Sequence, residues 1–193
     1  FRFPKLVSSF LLFFFISAIL TLSAKDYRIT KAEIKAIIKK TGIVSFEETR
    51  TYVFEGSYTW ASFELERKGF DNVSNFSVWD GDKLYLEDDS NEPGTFSIRK
   101  RSKKYEIKYF FDVNNEEKKI TLRYDLEKAL VSDEEWTEFY WTFLGSRWNR
   151  KNEQVIIQLE FEDSIPFFYW VDVGTQFKDQ KNLKGWTVET FPI

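Results

Sequence analysis

The fold class is indicated most clearly by residues 105–126, which read YEIKYFFDVNNEEKKITLRYDL. Apolar residues occupy alternate positions in both halves of this stretch, as in a strand that buries one face and leaves the other in water. The halves meet at Asn114-Asn115, and asparagine accepts the positive φ angles that a tight hairpin requires. The stretch therefore predicts two neighbouring antiparallel strands.

The same two-residue period recurs through the rest of the chain, between turns that contain Gly, Pro or Asn. The clearest further alternations are Ile34/Ala36/Ile38, Ala61/Phe63/Leu65 and Val155/Ile157/Leu159/Phe161. The turn signals between them are Lys40-Thr41-Gly42, Glu55-Gly56-Ser57, Asp80-Gly81-Asp82 and Pro93-Gly94. About ten strands in one unit without cysteines predict an all-β fold, an immunoglobulin-like antiparallel β-sandwich in which consecutive strands pair.

Two segments depart from this alternation. Within Asp125–Thr137, Leu126, Leu130 and Val131 have near-helical spacing, so we expect one or two helical turns there. Regular alternation also ends after Asp163, and the apolar run at 166–171 is too short to span a bilayer. We therefore assign residues 25–163 to the sandwich domain and residues 164–193 to the start of a following β-rich segment.

Residues 1–24 have the layout of a targeting segment. Arg2 and Lys5 come first, residues 10–20 are almost wholly apolar, and small residues precede Lys25. This three-part order predicts a signal-peptide helix that is removed on export. An uncleaved membrane anchor is the alternative, because the apolar run approaches the roughly 20 residues that cross a bilayer. In both cases residues from Lys25 onward are exported.

The composition excludes several classes of chemistry. The chain has no cysteine and no histidine, so it lacks disulfides, thiolate nucleophiles, the usual base of hydrolytic triads and the commonest metal ligand. Its formal net charge of -3 argues against a general nucleic-acid binder. Aromatic residues make up 19% of the chain, which indicates a scaffold stabilised by burial of large rings. We expect a non-enzymatic domain without a cofactor.

Three stretches together resemble a known family. They are Gly42–Tyr58 with its Tyr-x-Phe-x-Gly pattern, Tyr105–Tyr109, and Glu138–Trp141 followed by Gly145–Trp148. Their order is similar to the exported N-terminal domain of the predicted membrane protein family called domain of unknown function 2207, over roughly Tyr27 to Asp163. The resemblance implies a signal peptide, a β-rich exported domain and membrane-spanning helices, which we expect beyond Ile193. It transfers no catalytic residue.

Five residues form a candidate ligand platform: Tyr58, Trp60, Trp141, Gly145 and Trp148. Exposed Trp and Tyr rings stack on sugars, and glycine permits close approach of a ligand. This favours a carbohydrate-binding module as the alternative function. The competing interpretation is that the rings belong to the core, since β-sandwiches commonly bury a tryptophan.

A second candidate site is a run of cations in an otherwise acidic chain. It comprises Arg99, Lys100, Arg101, Lys103 and Lys104. The run favours contact with an anionic surface, either phospholipid or an acidic cell-wall polymer. The alternative is a solvated hairpin tip whose like charges deter edge pairing.

Acidic residues cluster at Asp80-Gly81-Asp82 and Glu87-Asp88-Asp89, and carboxylates are the ligands that calcium prefers. Their spacing does not match the helical calcium loop, so we predict no metal site. Taken together, the sequence predicts a membrane-associated, exported domain that works in cell-envelope interaction or assembly. The membrane, an envelope protein and a polysaccharide are the expected partners, and nucleic acid is not.

Overall fold

The computed structural model describes residues 25–143, 152–162, 177–181 and 185–190, and every regular element in these ranges is a β-strand. The strands are Asp26–Ile38 (β1), Val44–Glu55 (β2), Ser57–Glu66 (β3), Asn72–Asp80 (β4), Lys83–Leu84 (β5), Leu86–Glu87 (β6), Thr95–Lys100 (β7), Lys104–Asn114 (β8), Glu117–Glu127 (β9), Val131–Ser132 (β10), Thr137–Glu138 (β11), Asn152–Phe161 (β12), Phe177–Lys181 (β13) and Gly185–Thr190 (β14). The prediction of an all-β fold is confirmed for the described residues.

The larger sheet has eight strands in the order β13-β14-β12-β1-β2-β9-β4-β5. Most neighbours are antiparallel, but β1 and β12 run parallel, with Ile34 opposite Ile157. The smaller sheet has the order β3-β8-β7-β6, and its β6–β7 pair is also parallel. The expectation that consecutive strands pair antiparallel is therefore wrong at β6–β7, because residues 88–94 carry the chain back before β7 begins. It is also wrong at β2–β3, because these two strands lie in different sheets.

The two sheets pack face to face through aromatic rings. Ring centroids of Phe54 on β2 and Phe111 on β8 are 5.4 Å apart, and those of Phe63 on β3 and Tyr124 on β9 are 5.9 Å apart. These residues occupy the inward positions of the alternating pattern, so the two-residue period places the rings between the sheets. The more specific immunoglobulin-like assignment stays a prediction.

The expected helical turns over Asp125–Thr137 are wrong. Strand β9 continues to Glu127 because it is hydrogen-bonded on both sides, with Leu126 opposite Val44 and Val73. Lys128 then adopts a φ of 53°, which ends the strand in a turn. The following residues form the short β10–β11 hairpin, in which the Asp133 carboxylate accepts the backbone N–H of Trp136 at 2.9 Å.

The predicted signal-peptide helix at residues 1–24 lies outside the described residues, as does much of 164–193. The described strands of that last segment, β13 and β14, join the eight-stranded sheet through β12. They extend the sheet that contains β1.

The strand register puts the turns at two ends of the molecule. We call the end with turns 39–43, 67–71 and 101–103 the tip end. The opposite end, which holds the start of β1 and the turns at Gly56 and Asn115, is the base end. Strand β14 runs antiparallel to β12 and therefore toward the base end.

Candidate functional site

The predicted cation run forms the exposed hairpin between β7 and β8 at the tip end. Arg99, Lys100, Arg101 and Lys103 are exposed, and Lys104 is half-buried at the start of β8. Two of the five are tied to carboxylates on the same sheet. Arg101 Nε lies 3.0 Å from Glu106, and Lys104 Nζ lies 2.7 Å from the same carboxyl group and also contacts Glu64.

Tertiary structure adds Arg67 and Lys68 to this hairpin. The Arg67 guanidinium donates to the carbonyl oxygens of Arg101 at 3.1 Å and Ser102 at 3.2 Å, and its backbone N–H donates to Lys103 O at 2.9 Å. The β3–β4 and β7–β8 turns are thus held together. Sequence reasoning missed this pair, since the turns are far apart in the chain.

The combined surface, which we call the basic tip, consists of Arg67, Lys68, Arg99, Lys100, Arg101 and Lys103. Five of its members form no ion pair within the described part of the chain: Arg67, Lys68, Arg99, Lys100 and Lys103. The Arg67 and Lys100 cations also lie 5.7 and 5.6 Å from the ring centroid of Tyr105. Hydrogen bonds with Lys104 and Arg101 lower the pKa of Glu106, which fixes that carboxylate in its charged form.

The predicted ligand platform is not brought together as one flat surface. Tyr58 packs edge-on against Tyr27 at 5.7 Å and against Phe54 at 4.9 Å, at the base end. Trp141 packs against Phe46 at 5.3 Å, toward the tip end. Phe46 and Phe54 are about 26 Å apart along β2 at the usual rise per residue, so Tyr58 and Trp141 are separated by a similar distance.

Trp60 lies apart from both rings. It sits opposite Phe110 on the outer face of the small sheet, and its side chain is 48% exposed. Lys108 Nζ lies 4.0 Å from its ring centroid, so the ring makes a cation–π contact. The other two predicted platform residues, Gly145 and Trp148, lie outside the described residues.

A cleft of about 1030 Å³ runs beside β3 and connects these regions. Tyr58, Trp60 and Trp141 all contribute to its lining. Glu48 and Arg50 line its middle, although both are almost completely buried. The cleft therefore combines aromatic walls with one buried pair of opposite charges.

This buried pair belongs to a polar network between the sheets. Arg50 Nε donates to Glu48 Oε1 at 2.7 Å, and the Tyr52 and Tyr109 hydroxyls lie 2.6 Å apart. Burial alone would lower the Arg50 pKa, but the Glu48 charge and both tyrosines raise it above its ordinary value. The sequence carried a signal for the pair, since two opposite charges stand two residues apart on the inward face of β2.

The acidic cluster is built as ordinary turn structure. Asp80 accepts hydrogen bonds from Lys118 Nζ at 2.6 Å and from the Tyr85 hydroxyl at 3.2 Å. Asp88 accepts the backbone N–H of Ser90 at 2.6 Å. Within the described ranges, no group of three or more acidic, His or Cys side chains is placed to hold a metal ion.

A model of the predicted membrane protein (DUF2207) N-terminal domain matches residues 28–192. The chain belongs to the DUF2207 family. The match confirms the resemblance noted in the sequence and places β13 and β14 inside the DUF2207 domain. In the described part of this DUF2207 chain, no helix has the length and hydropathy needed to cross a membrane. A search of curated protein sequences gave no match.

Solved structures with a similar arrangement are distant from this DUF2207 domain. The M1 zinc metallopeptidase from Deinococcus radiodurans is 11% identical with a TM-score of 0.42, and the match covers 86% of this chain and 38% of that one. A putative protease from Parabacteroides distasonis is 8% identical with a TM-score of 0.41, covering 85% and 34%. This chain thus spans well under half the length of either protein.

Proposed function

We propose that this chain is a non-enzymatic, exported domain of a membrane protein, of β-sandwich and immunoglobulin-like type, and that it works in cell-envelope interaction or assembly. The observation that carries the proposal is the position of the basic tip. Its exposed cations gather at the tip end of the sandwich. Strand β1 starts at the base end, and β14 runs toward the base end. A domain attached to a membrane through its base end would present the basic tip outward.

The interior of the sandwich supports a scaffold role. The Glu48 carboxylate accepts two hydrogen bonds from the Arg50 guanidinium, and the Tyr109 hydroxyl bonds to that of Tyr52. Groups held in such pairs stabilise one arrangement of the two sheets rather than exchange protons with a substrate. We therefore assign the function to the outer surface of the domain.

Cysteine labelling of the full-length protein in intact cells tests the exported orientation. The 193 residues contain no cysteine, so Ser102→Cys at the tip and Ser57→Cys at the base each introduce one thiol into this domain. We expect a membrane-impermeant maleimide to label both variants without lysis. Labelling that appears only after lysis would place the domain in the cytoplasm and overturn the proposal.

A carbohydrate-binding module is the second candidate function, and the aromatic cleft favours it. Trp60 is an exposed tryptophan in the lining of that cleft, so Trp60→Ala tests its role. Soluble chitin and cellulose oligosaccharides should quench tryptophan fluorescence saturably in the unmodified chain and not in Trp60→Ala. Trp136→Ala removes another exposed tryptophan, at 66% exposure, and is the matched control. Absence of quenching, or equal loss in both variants, contradicts this function.

A further inference from the structure

We propose that the basic tip binds a linear phosphate-rich polymer of the cell envelope, and that Arg67 and Lys68 belong to this site together with Arg99, Lys100 and Lys103. The inference rests on the proposed function, because it requires the domain to be exported and attached through its base end. It names the partner of the same surface.

The fold leaves most of the positive charge of the basic tip available to a partner. No described carboxylate lies within ion-pair distance of these five cations, whereas Arg101 and Lys104 are engaged by Glu106. Five exposed cations on the β3–β4 turn and the β7–β8 hairpin create a positive potential in a chain with a net charge of -3. A partner that carries many negative charges is attracted most strongly by this cluster of positive charge.

Contacts between the two turns make the basic tip rigid. Arg67 donates two hydrogen bonds to the carbonyls of Arg101 and Ser102, and Lys100 lies over the Tyr105 ring. The two turns therefore keep a fixed spacing. A polyanion can contact several cations at once while the site loses little conformational entropy.

The types of cation in the basic tip favour phosphate as the charged group of the partner. Arg67 and Arg99 supply planar guanidinium groups, which bind phosphate oxygens through paired N–H donors. The surrounding lysines add point charges that a repeating anion can meet in succession.

The distance between the two ends of the domain favours a polymer over the anchoring membrane as the partner. Phosphate groups occur in both, but β2 alone is 12 residues long and spans about 40 Å between the base end and the tip end. That distance greatly exceeds the roughly 8 to 10 Å over which salt screens charge. With the base end at the membrane, the basic tip is beyond electrostatic reach of its lipid headgroups.

A neighbouring acidic hairpin limits the extent of the site. Asp133, Glu134 and Glu135 are exposed on the β10–β11 hairpin, which follows the tip-end terminus of β9. These charges repel a polyanion. We therefore expect the polymer to contact the cations of the basic tip and not this hairpin.

The test uses full-length protein in phosphatidylcholine nanodiscs, with fluorescent long-chain inorganic polyphosphate as the probe. A tip variant carries Lys68→Gln, Arg99→Gln and Lys103→Gln, so it removes cations from both turns. The control removes the same residue types from the base half of the domain: Arg28→Gln, Lys83→Gln and Lys119→Gln. Thermal unfolding of both variants verifies that each is folded.

We expect polyphosphate to bind and the tip variant to bind about 100-fold more weakly near 0.1 M salt, given the usual contribution of one cation at an anionic surface. The control should stay within about threefold of the parent, and the salt dependence should flatten in the tip variant alone. Phosphatidylglycerol vesicles are the second arm, because free vesicles can reach the tip from solution, and we expect them to bind more weakly than polyphosphate.

Three results would overturn the inference: no polyphosphate binding, equal losses in the two triple variants, or vesicles that bind more tightly than polyphosphate. The last result would identify a membrane surface as the partner. These outcomes are separate from the labelling experiment. A tip that is labelled outside the cell but binds no polyphosphate contradicts this inference alone, whereas labelling only after lysis contradicts the proposed function.

Discussion

Arg50 and Glu48, two residues apart on β2, form an ion pair between the two sheets. Arg50 Nε lies 2.7 Å from Glu48 Oε1, and the residues are only 6% and 3% exposed. The Arg50 guanidinium also lies 4.9 Å from the ring centroid of Phe63 on the opposite sheet. The pair therefore links the polar and aromatic parts of the core, and each partner depends on the other for compensation of its charge.

Removal of one partner should be more damaging than removal of both. Glu48→Ala leaves a buried guanidinium without its carboxylate and should lower the free energy of unfolding by about 3 to 5 kcal/mol. The double variant Glu48→Leu/Arg50→Met should recover part of that loss, because no charge remains buried. Urea unfolding measures both. Asp71→Ala, which breaks the exposed Asp71–Lys128 pair at 2.9 Å, is the control and should have a much smaller effect.

Asp125 should make stability depend on acid pH. Burial raises the pKa of this carboxyl, but hydrogen bonds from Ser45 and Asn75 and the charge of Lys39 outweigh burial and lower the pKa below its ordinary value. The stabilisation is then present above the unfolded-state pKa of about 3.9 and is lost as pH falls through the lower folded-state pKa. Asp125→Asn should destabilise the protein at pH 7, with a difference that shrinks toward pH 2.

Urea unfolding between pH 7 and pH 2 checks this dependence. Asp112→Asn alters an exposed aspartate on β8 and serves as the control. A stability difference for Asp125→Asn that stays constant across the whole range would contradict the assignment.

Tyr109 should resist ionisation in the folded protein. Burial raises its pKa well above the ordinary value, and the nearby Tyr52 hydroxyl adds to that effect. Burial likewise raises the pKa of Tyr124 well above its ordinary value. Because the pKa is higher in the folded state, the contribution to stability is complete below the unfolded-state pKa of about 10. That contribution is lost as pH rises from this value through the folded-state pKa. Tyrosinate absorbance should therefore include these two rings only when alkaline unfolding occurs.

The variant Tyr109→Phe tests the hydroxyl pair directly. It leaves the Tyr52 hydroxyl without the partner at 2.6 Å and should cost about 1 kcal/mol. It should also change the pH at which alkaline unfolding begins. Unchanged stability together with an unchanged absorbance profile would show that the hydroxyl pair contributes nothing.

Phe46 should be a central contributor to the core. Its ring stacks on Tyr124 with centroids 5.1 Å apart and also contacts Trp141 at 5.3 Å. Phe46→Ala should lower the free energy of unfolding by about 3 to 5 kcal/mol through lost burial and a new cavity. Trp136→Ala at an exposed position should change it by about 0.5 kcal/mol or less in thermal unfolding. Similar effects of both changes would contradict this view of the core.

The strands were predictable because their pattern is local. The alternations at Tyr105–Phe111 and Ile120–Leu126 lie in β8 and β9, and Asn115 adopts the positive φ of 53° expected for the turn. The helical expectation failed at Leu126 because its strand pairs on both edges, a tertiary effect that outweighs three apolar residues at helical spacing.

Long-range relationships could not be predicted from the period. The hairpin at Arg99–Lys104 is visible in the sequence, but the contribution of Arg67 depends on hydrogen bonds across 34 and 35 residues. The pairing of Glu48 with Arg50 follows from the two-residue period and could have been inferred. The parallel alignment of β1 with β12 leaves no local signal.

That parallel alignment affects how the domain acquires its structure. β1 is the first described strand of the chain, and its Ile34 meets Ile157 near the other end of the sequence. Pairings between such distant residues form slowly, because a long loop must close before the contact stabilises anything. One edge of β1 consequently lacks its neighbour until β12 is delivered. Closure of the large sheet therefore waits until the chain has been made as far as β12, more than 110 residues after β1 ends.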